Sequence, residues 1–292
     1  MSEISTIMDG FYLPEGFSES RLDGVRFFKA LAHTPRAPLL YDPGICIVLQ
    51  GHKIGYLGDQ VFQYDADNYL VVSVTMPFEC ETFATRKNPL FGLYIDVDMP
   101  VLHDLISQLG HGDYGSSARG ILPQGIGPAA MDREMKDAIS RLLKALGSEA
   151  EARILGPGLI REILYRVLCG DQAPILYALA AHNGNFARIA GVLRMIQRDY
   201  AEKLDVDLMA GKVNMSASAF HRVFKEITAE SPMQYLKKIR LTKARELLMQ
   251  KDMKAYMAAD RVGYESASQF SREFKRYFGQ NPADLLREIK PA

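Results

Sequence analysis

Ser216-Ala-Ser218-Ala-Phe220-His-Arg222-Val-Phe224-Lys225 and, fifty residues on, Ser266-Ala-Ser268-Gln-Phe270-Ser-Arg272-Glu-Phe274-Lys275 are two copies of one pattern. Each copy opens on a serine, a residue whose hydroxyl caps a helix N-terminus. Each then sets two phenylalanines at i and i+4, on one face of that helix. Ser218, His221, Arg222 and Lys225 fall on the opposite face, as do Ser268, Ser271, Arg272 and Lys275. The spacing therefore predicts two helices, each with an aromatic stripe to bury and a short polar, cationic stripe to present. A helix that reads DNA needs this division: one face packs, and the other reaches bases and phosphates.

The residues before each copy complete a motif. Leu208-Met-Ala210-Gly-Lys-Val213-Asn214 reads as a short apolar helix ending at a residue that tolerates the left-handed conformation. Met257-Ala-Ala259-Asp-Arg-Val262-Gly263 does the same with glycine. Ala210 and Ala259 each precede the turn residue by four positions, where a small side chain lets two helices cross closely. Short helix, tight turn and capped second helix make a helix-turn-helix, and here it is written twice. Between the copies, Pro232 follows Ser231 at a first-turn position. Apolar residues then recur at helical spacing to about Gln250. Such a helix is about 27 Å long, suited to holding two readers near the ~34 Å repeat of successive major grooves.

Residues 185–290 resemble the DNA-binding domain of the AraC/XylS family of bacterial transcription regulators. Phe278-Gly279-Gln-Asn281-Pro282 is similar to that family's closing signature, with glycine ending the second reading helix and Asn-Pro opening a last short one. The resemblance implies base-facing roles for Ser218, His221 and Arg222 in the first reader. In the second it implies them for Ala267, Ser268, Gln269, Ser271 and Arg272. Ala267 departs from such a role, because a methyl group can touch only a thymine methyl. Ser216, Lys225, Ser266 and Lys275 are better placed for phosphates. The partner implied is double-stranded DNA, with RNA polymerase as a further partner and activation rather than repression as the outcome.

Charge supports a division of labour. The whole chain is neutral, with 35 basic and 35 acidic residues. From Asn183 onward it carries 20 basic and 13 acidic residues, leaving 15 basic and 22 acidic before that point. A cationic C-terminal third joined to an acidic partner is the balance expected of a nucleic-acid reader fused to another domain. At 292 residues the chain has room for two domains. We divide it into residues 1–175, for effector binding and dimerisation, and 176–292, for DNA, with Gly170–Gly184 as the hinge. The longest apolar runs are of strand length, too short for a membrane span. Met1-Ser-Glu-Ile-Ser does not open as a secretory signal. Three cysteines without Cys-x-x-Cys spacing suggest reduced thiols. A cytoplasmic protein is expected.

Residues 37–97 read as β. Short runs rich in branched and aromatic residues (38–41, 44–50, 53–57, 60–64, 69–74, 79–84 and 90–97) alternate with turn-forming Asp, Asn and Gly. Helices are expected over 99–109, 131–146, 159–168 and from Asn185 to about Lys203. The fold class is therefore α+β in two domains: a β-barrel with flanking helices, then an all-α domain with two helix-turn-helix motifs. Leu40-Tyr-Asp-Pro43-Gly-Ile-Cys-Ile-Val-Leu-Gln50-Gly51, Gly58-Asp59, Tyr64-Asp65-Ala66, Tyr69-Leu70-Val-Val-Ser73 and Met76-Pro77 resemble the N-terminal domain of one AraC subgroup, a small cupin-like barrel. In that family such a barrel binds a small effector or dimerises; here the apolar stripes of 131–146, of 159–168 or of both either form a homodimer interface or cap their own barrel.

A catalytic reading has less support. Cupin enzymes cluster their metal-binding histidines, whereas His33, His52, His103, His111 and His182 are scattered. No site for a metal, cofactor or catalytic residue is expected. Gly120–Gly127 lacks the Lys-Ser/Thr of a phosphate cradle and reads as a loop. The alternative reading is a metal-dependent cupin enzyme with an accessory DNA-binding domain, and a third is a regulator whose barrel serves only protein contacts. Cys46 has apolar neighbours and Cys80 lies between Glu79 and Glu81, with no cation adjacent in sequence to activate either thiol. A non-covalent effector is therefore expected, at residues the sequence leaves open.

Overall fold

The computed structural model describes residues 11, 13–110, 122–181, 184–250 and 253–289. The chain divides into two compact units, with the division at Ala187/Arg188. Of the residues discussed above, the first ten, His111, Gly120, His182 and Asn183 lie outside the described ones.

The first unit is built on a curled antiparallel sheet. Its strands are β1 (Gly16–Glu19), β2 (Val25–Ala30), β3 (Thr34–Tyr41), β4 (Gly44–Gln50), β5 (His52–Leu57), β6 (Gln60–Asp65), β7 (Asn68–Val72), β8 (Met76–Phe83), β9 (Leu90–Asp96) and β10 (Ile126–Ala130). The order is β1-β2-β9-β4-β7-β6-β5-β8-β3, with β10 on β7. The sheet curls enough that Tyr41, on the last strand of that order, packs 5.4 Å from the Tyr94 ring of β9. It also packs 5.1 Å from Phe78 of β8.

Two-residue periodicity assigns the faces. On β4, Ile45 and Ile47 join Phe27, Val71 and Leu93 under the helices, while Cys46 and Val48 face the concave interior; all four β4 residues are fully buried. The covering helices are α1 (Met99–Leu109), α2 (Arg133–Leu146), α3 (Glu149–Cys169) and α4 (Ala173–Ala180). Three strand glycines make room for interior rings. A Cβ on Gly92, Gly55 or Gly44 would stand 2.0, 2.4 or 2.3 Å from the rings of Phe28, Phe62 and Tyr94 respectively.

Seven strands and the first helix fall where the sequence placed them. Strands β1, β2 and β10 were not anticipated, and β10 takes up part of the expected 120–127 loop. Helix α3 starts ten residues before Leu159 and carries Pro157 in its interior, anchored by Ser148, whose hydroxyl caps Glu151 N. The expected hinge at 170–184 contains α4, whose Ile175 and Leu176 are buried in the helix–sheet core. The helix from Asn185 ends at Asp199 rather than near Lys203.

Helices α2 and α3 are fastened by Glu162, which accepts from Arg141 at 2.8 Å and from Arg166 at 2.6 Å. The two guanidinium groups hold its carboxyl down at about 2, from an ordinary 4.5. A depressed carboxylate stabilises the fold above its unfolded pKa, and that stabilisation is lost as pH falls toward the folded value. Acid titration from pH 5 to pH 2 should therefore cost the wild type of order 1 kcal/mol more than Glu162→Gln, the pair being partly solvated. Equal acid profiles for the two proteins would remove this fastening.

The second unit is helical: α5 (Asn185–Asp199), α6 (Val206–Lys212), α7 (Ala217–Thr228), α8 (Pro232–Leu248), α9 (Ala255–Arg261), α10 (Ala267–Phe278) and α11 (Pro282–Ile289). Helices α6–α7 and α9–α10 are the two helix-turn-helix motifs. The connector α8 contributes Leu241, Ala244 and Leu248 to the core that buries Phe270 and Phe274. Its Tyr235 ring meets Phe224 edge-on at 5.5 Å. One rigid helix thus touches both readers.

Candidate nucleic-acid interface and barrel interior

Both readers start as their sequence implies. Ser216 is the N-cap of α7, and its hydroxyl accepts from Ala219 N at 3.3 Å. Ser266 caps α10 by accepting from Gln269 N at 3.2 Å. In each copy the cap hydroxyl also meets the serine two residues on, Ser218 at 3.4 Å and Ser268 at 2.9 Å. Phe220, Phe224, Phe270 and Phe274 are fully buried. Ser218, His221, Arg222, Lys225, Ser268, Gln269, Arg272 and Lys275 are exposed. Replacing Ser216 or Ser266 by alanine should cost about 1 kcal/mol of stability. Thermal melts of the two variants check this, and unchanged midpoints in both would show that the caps contribute nothing.

The exposed side chains differ in readiness. Arg222 pairs with Glu226 at 3.0 Å on its own helix, whereas Arg272 has no hydrogen-bond or ion-pair partner among the described residues. Ser271 is half-buried and gives its hydroxyl proton to Ala267 O at 2.9 Å, leaving it an acceptor. Gln269 turns to the flank of α10. It donates to Glu273 at 3.4 Å and lines a recess of about 580 Å³ with Met233, Lys237 and Tyr264.

The turns carry the backbone strain. Asn214 and Gly263 have φ of 54° and 80°. Ala229 and Gly279, fifty residues apart, end α7 and α10 in the left-handed conformation, with φ of 60° and 79°. Alanine is costly there and glycine is not. Ala229→Gly should therefore stabilise the protein by about 1 kcal/mol. A lower melting temperature for that variant would count against the strain.

The barrel interior holds a polar cluster that the sequence reading missed. Lys53 on β5 is only 7% exposed. Its Nζ donates to the Tyr41 hydroxyl at 2.8 Å and lies 5.3–5.8 Å from the ring centres of Tyr41, Phe28 and Tyr64. Tyr41 and Tyr64 hydroxyls are 3.3 Å apart, and Tyr64 Oη is 3.2 Å from Cys80 Sγ. No carboxylate pairs with Lys53 among the described residues. The available signal was phase: Lys53, Gly55 and Leu57 alternate together on one face of β5 and are all buried.

This corrects the expected surroundings of the thiols. Glu79 and Glu81 point to the outer face, where Glu79 pairs with Arg36 and Glu81 with His33 and Tyr56. The cation comes from a facing strand rather than from adjacent sequence. Burial still pushes the Cys46 thiol up to about 11, with Lys53 and the Tyr41 hydroxyl only partly offsetting it. His33 and His52 both pack on the Phe83 ring, and His103 meets Ala180 O at 3.1 Å. No group of three or more metal-binding side chains occurs among the described residues. No helix among them is long and apolar enough to cross a membrane.

The chain is similar to known proteins in sequence and in fold. A family model for the AraC-type transcriptional regulator N-terminus matches residues 21–175, and a helix-turn-helix domain model matches residues 209–288. The chain is 31% identical over 143 residues to the transcriptional activator RhaS of Klebsiella pneumoniae, covering 49% of this chain and 50% of RhaS. It is 28% identical over 147 residues to the transcriptional regulator GbdR of Pseudomonas aeruginosa, covering 49% of this chain and 39% of GbdR. The chain thus spans about half the length, or less, of these relatives. Its fold is similar to that of ToxT from Vibrio cholerae bound to an unsaturated fatty acid, with a TM-score of 0.58 at 10% identity over 92% of this chain and 95% of ToxT.

Proposed function

The chain belongs to the AraC-type transcriptional regulators, and from that premise we propose that it binds double-stranded DNA through two successive major grooves and activates transcription. The observation that carries this reading is the matched pair of capped helices, α7 and α10, each with its aromatic face buried and its polar face open. Ser218, His221 and Arg222, then Ser268, Gln269, Ser271 and Arg272, are the proposed base contacts. Ser216, Lys225, Ser266 and Lys275 are the proposed phosphate contacts. RNA polymerase is the proposed protein partner, the cytoplasm the site of action, and the chain acts without catalysis.

The N-terminal half, ended at about residue 175 in the sequence reading but with a core that reaches Ala180 of α4, takes the effector and dimerises; the remainder serves DNA. We place the effector in the barrel, where Lys53 and the two tyrosine hydroxyls are the polar groups that can orient a small molecule. ToxT, with a similar fold, has been seen with a bound fatty acid. The stripes of 131–146 and 159–168 are spent on the chain's own core, where Ile139, Leu142, Ile163 and Leu164 are buried, so the apolar surface proposed for a second copy is the exposed Ile154 and Leu155 of α3. Residues 183–292 carry a net charge of +7, so this fragment should bind DNA with a steep salt dependence, because each neutralised phosphate releases counterions. A fragment ending at Ala181, which keeps α4 whole, should not bind DNA. Affinity in that acidic fragment, or none in the basic one, would overturn the assignment.

A further inference from the structure

A cleft of about 350 Å³ opens on the helix-covered side of the sheet, outside the barrel. Tyr69 of β7 forms its floor. That side chain is 3% exposed, and its ring packs in the helix–sheet core. Its hydroxyl reaches the cleft beside Gly170, where a Cβ would stand 3.3 Å away. No hydrogen-bond partner for this hydroxyl occurs among the described residues. The hydroxyl is the polar end of an otherwise buried side chain and is open to whatever fills the cleft.

The other groups on the walls are mostly acceptors. Asp132 spends one oxygen on the α2 N-terminus, accepting from Met135 N at 2.7 Å, and its other oxygen has no partner among the described residues. Asp171 has none among the described residues for either oxygen. Both carboxylates lie close enough to Tyr69 to add to the effect of burial, which together push its hydroxyl up to about 12. The C-terminus of α3, a helix of 21 residues ending at Cys169, also closes on the cleft and brings unpaired carbonyls and partial negative charge. The one cation on the wall, Arg166, is already bound twice by Glu162, at 3.0 and 2.6 Å. Tyr165 and Met135 add an aromatic face and a thioether, the surfaces against which an alkylammonium packs.

We propose that this cleft binds a small organic cation bearing a primary ammonium group, which donates to the Tyr69 hydroxyl and to the carboxylates of Asp132 and Asp171. The site is separate from the barrel and does not depend on the DNA-binding reading. Isothermal titration of the full chain with butane-1,4-diamine should show saturable binding, and butane-1,4-diol, of the same length without charge, should show none. Tyr69→Phe keeps the ring and removes only the oxygen; Asp171→Asn changes an exposed side chain. Each should weaken diamine binding about tenfold or more. Absence of saturable diamine binding would overturn the proposal, as would equal binding of the diol or undiminished binding by both variants.

Discussion

Gly263→Ala should destabilise the C-terminal unit by about 3 kcal/mol or more, enough to abolish cooperative folding of the second helix-turn-helix in a marginally stable protein. Two effects add. The residue sits at φ +80°, where a Cβ meets its own backbone at a cost of roughly 1–2 kcal/mol. The new methyl would also stand 2.2 Å from the carbonyl oxygen of Ala201, a backbone atom that cannot rotate away. Gly279→Ala is the internal control. Its φ is +79°, but nothing lies within 4 Å of the added carbon. It should lose only the conformational part, about 1 kcal/mol. Urea denaturation of both variants, followed by far-ultraviolet circular dichroism, separates the two effects. If Gly263→Ala cost no more than Gly279→Ala, the close approach to Ala201 would not be real.

The DNA-binding half was legible because its evidence is local. Cap, turn and i, i+4 phenylalanines lie within one helix, and their repetition fifty residues on fixes the phase. One detail escaped: α6 and α9 begin 49 residues apart, whereas α7 and α10 begin 50 apart, so the second turn is one residue longer. The barrel strands between residues 34 and 96 were legible where branched residues alternate between turns. The missed strands lack that signal. Gly16–Glu19 is mostly exposed, Val25–Ala30 sets Phe27 and Phe28 side by side because its two faces pack on different layers, and β10 is Ile-Gly-Pro-Ala-Ala. Pro157 between two glycines reads as a break, yet tertiary packing carries α3 through it; at Gly156 the Leu22 side chain takes the space of a Cβ, 2.5 Å from its place.

The site residues divide the same way. Exposure of Arg222 and Arg272 follows from helical phase alone. The Gln269 flank position depends on how α10 meets α8, which no local pattern encodes. Lys53 and its two tyrosines come from three strands and meet only because the sheet curls. The surroundings of Cys80 were misread for a related reason: in a strand, immediate neighbours in sequence lie on opposite faces, so Glu79 and Glu81 never face the thiol.

Arg222→Ala and Arg272→Ala should each weaken binding to the cognate operator by about 1–3 kcal/mol, roughly five- to 150-fold in Kd, and relax preference at one base pair, as loss of a bidentate base contact does. Both side chains are exposed, so folding stability should change by no more than about 0.5 kcal/mol. The two should not be equal. Arg222 must first leave Glu226, an exposed pair worth about 0.3–0.5 kcal/mol, while Arg272 has no such partner to leave. Arg272→Ala should therefore show the larger loss, and Glu226→Ala should recover the difference by tightening wild-type binding. Titration of each variant against operators randomised at single positions reads both the loss and the altered preference. Variants that bound every operator as the wild type does would remove both arginines from the interface and, with them, the assignment of α7 and α10 as the reading helices.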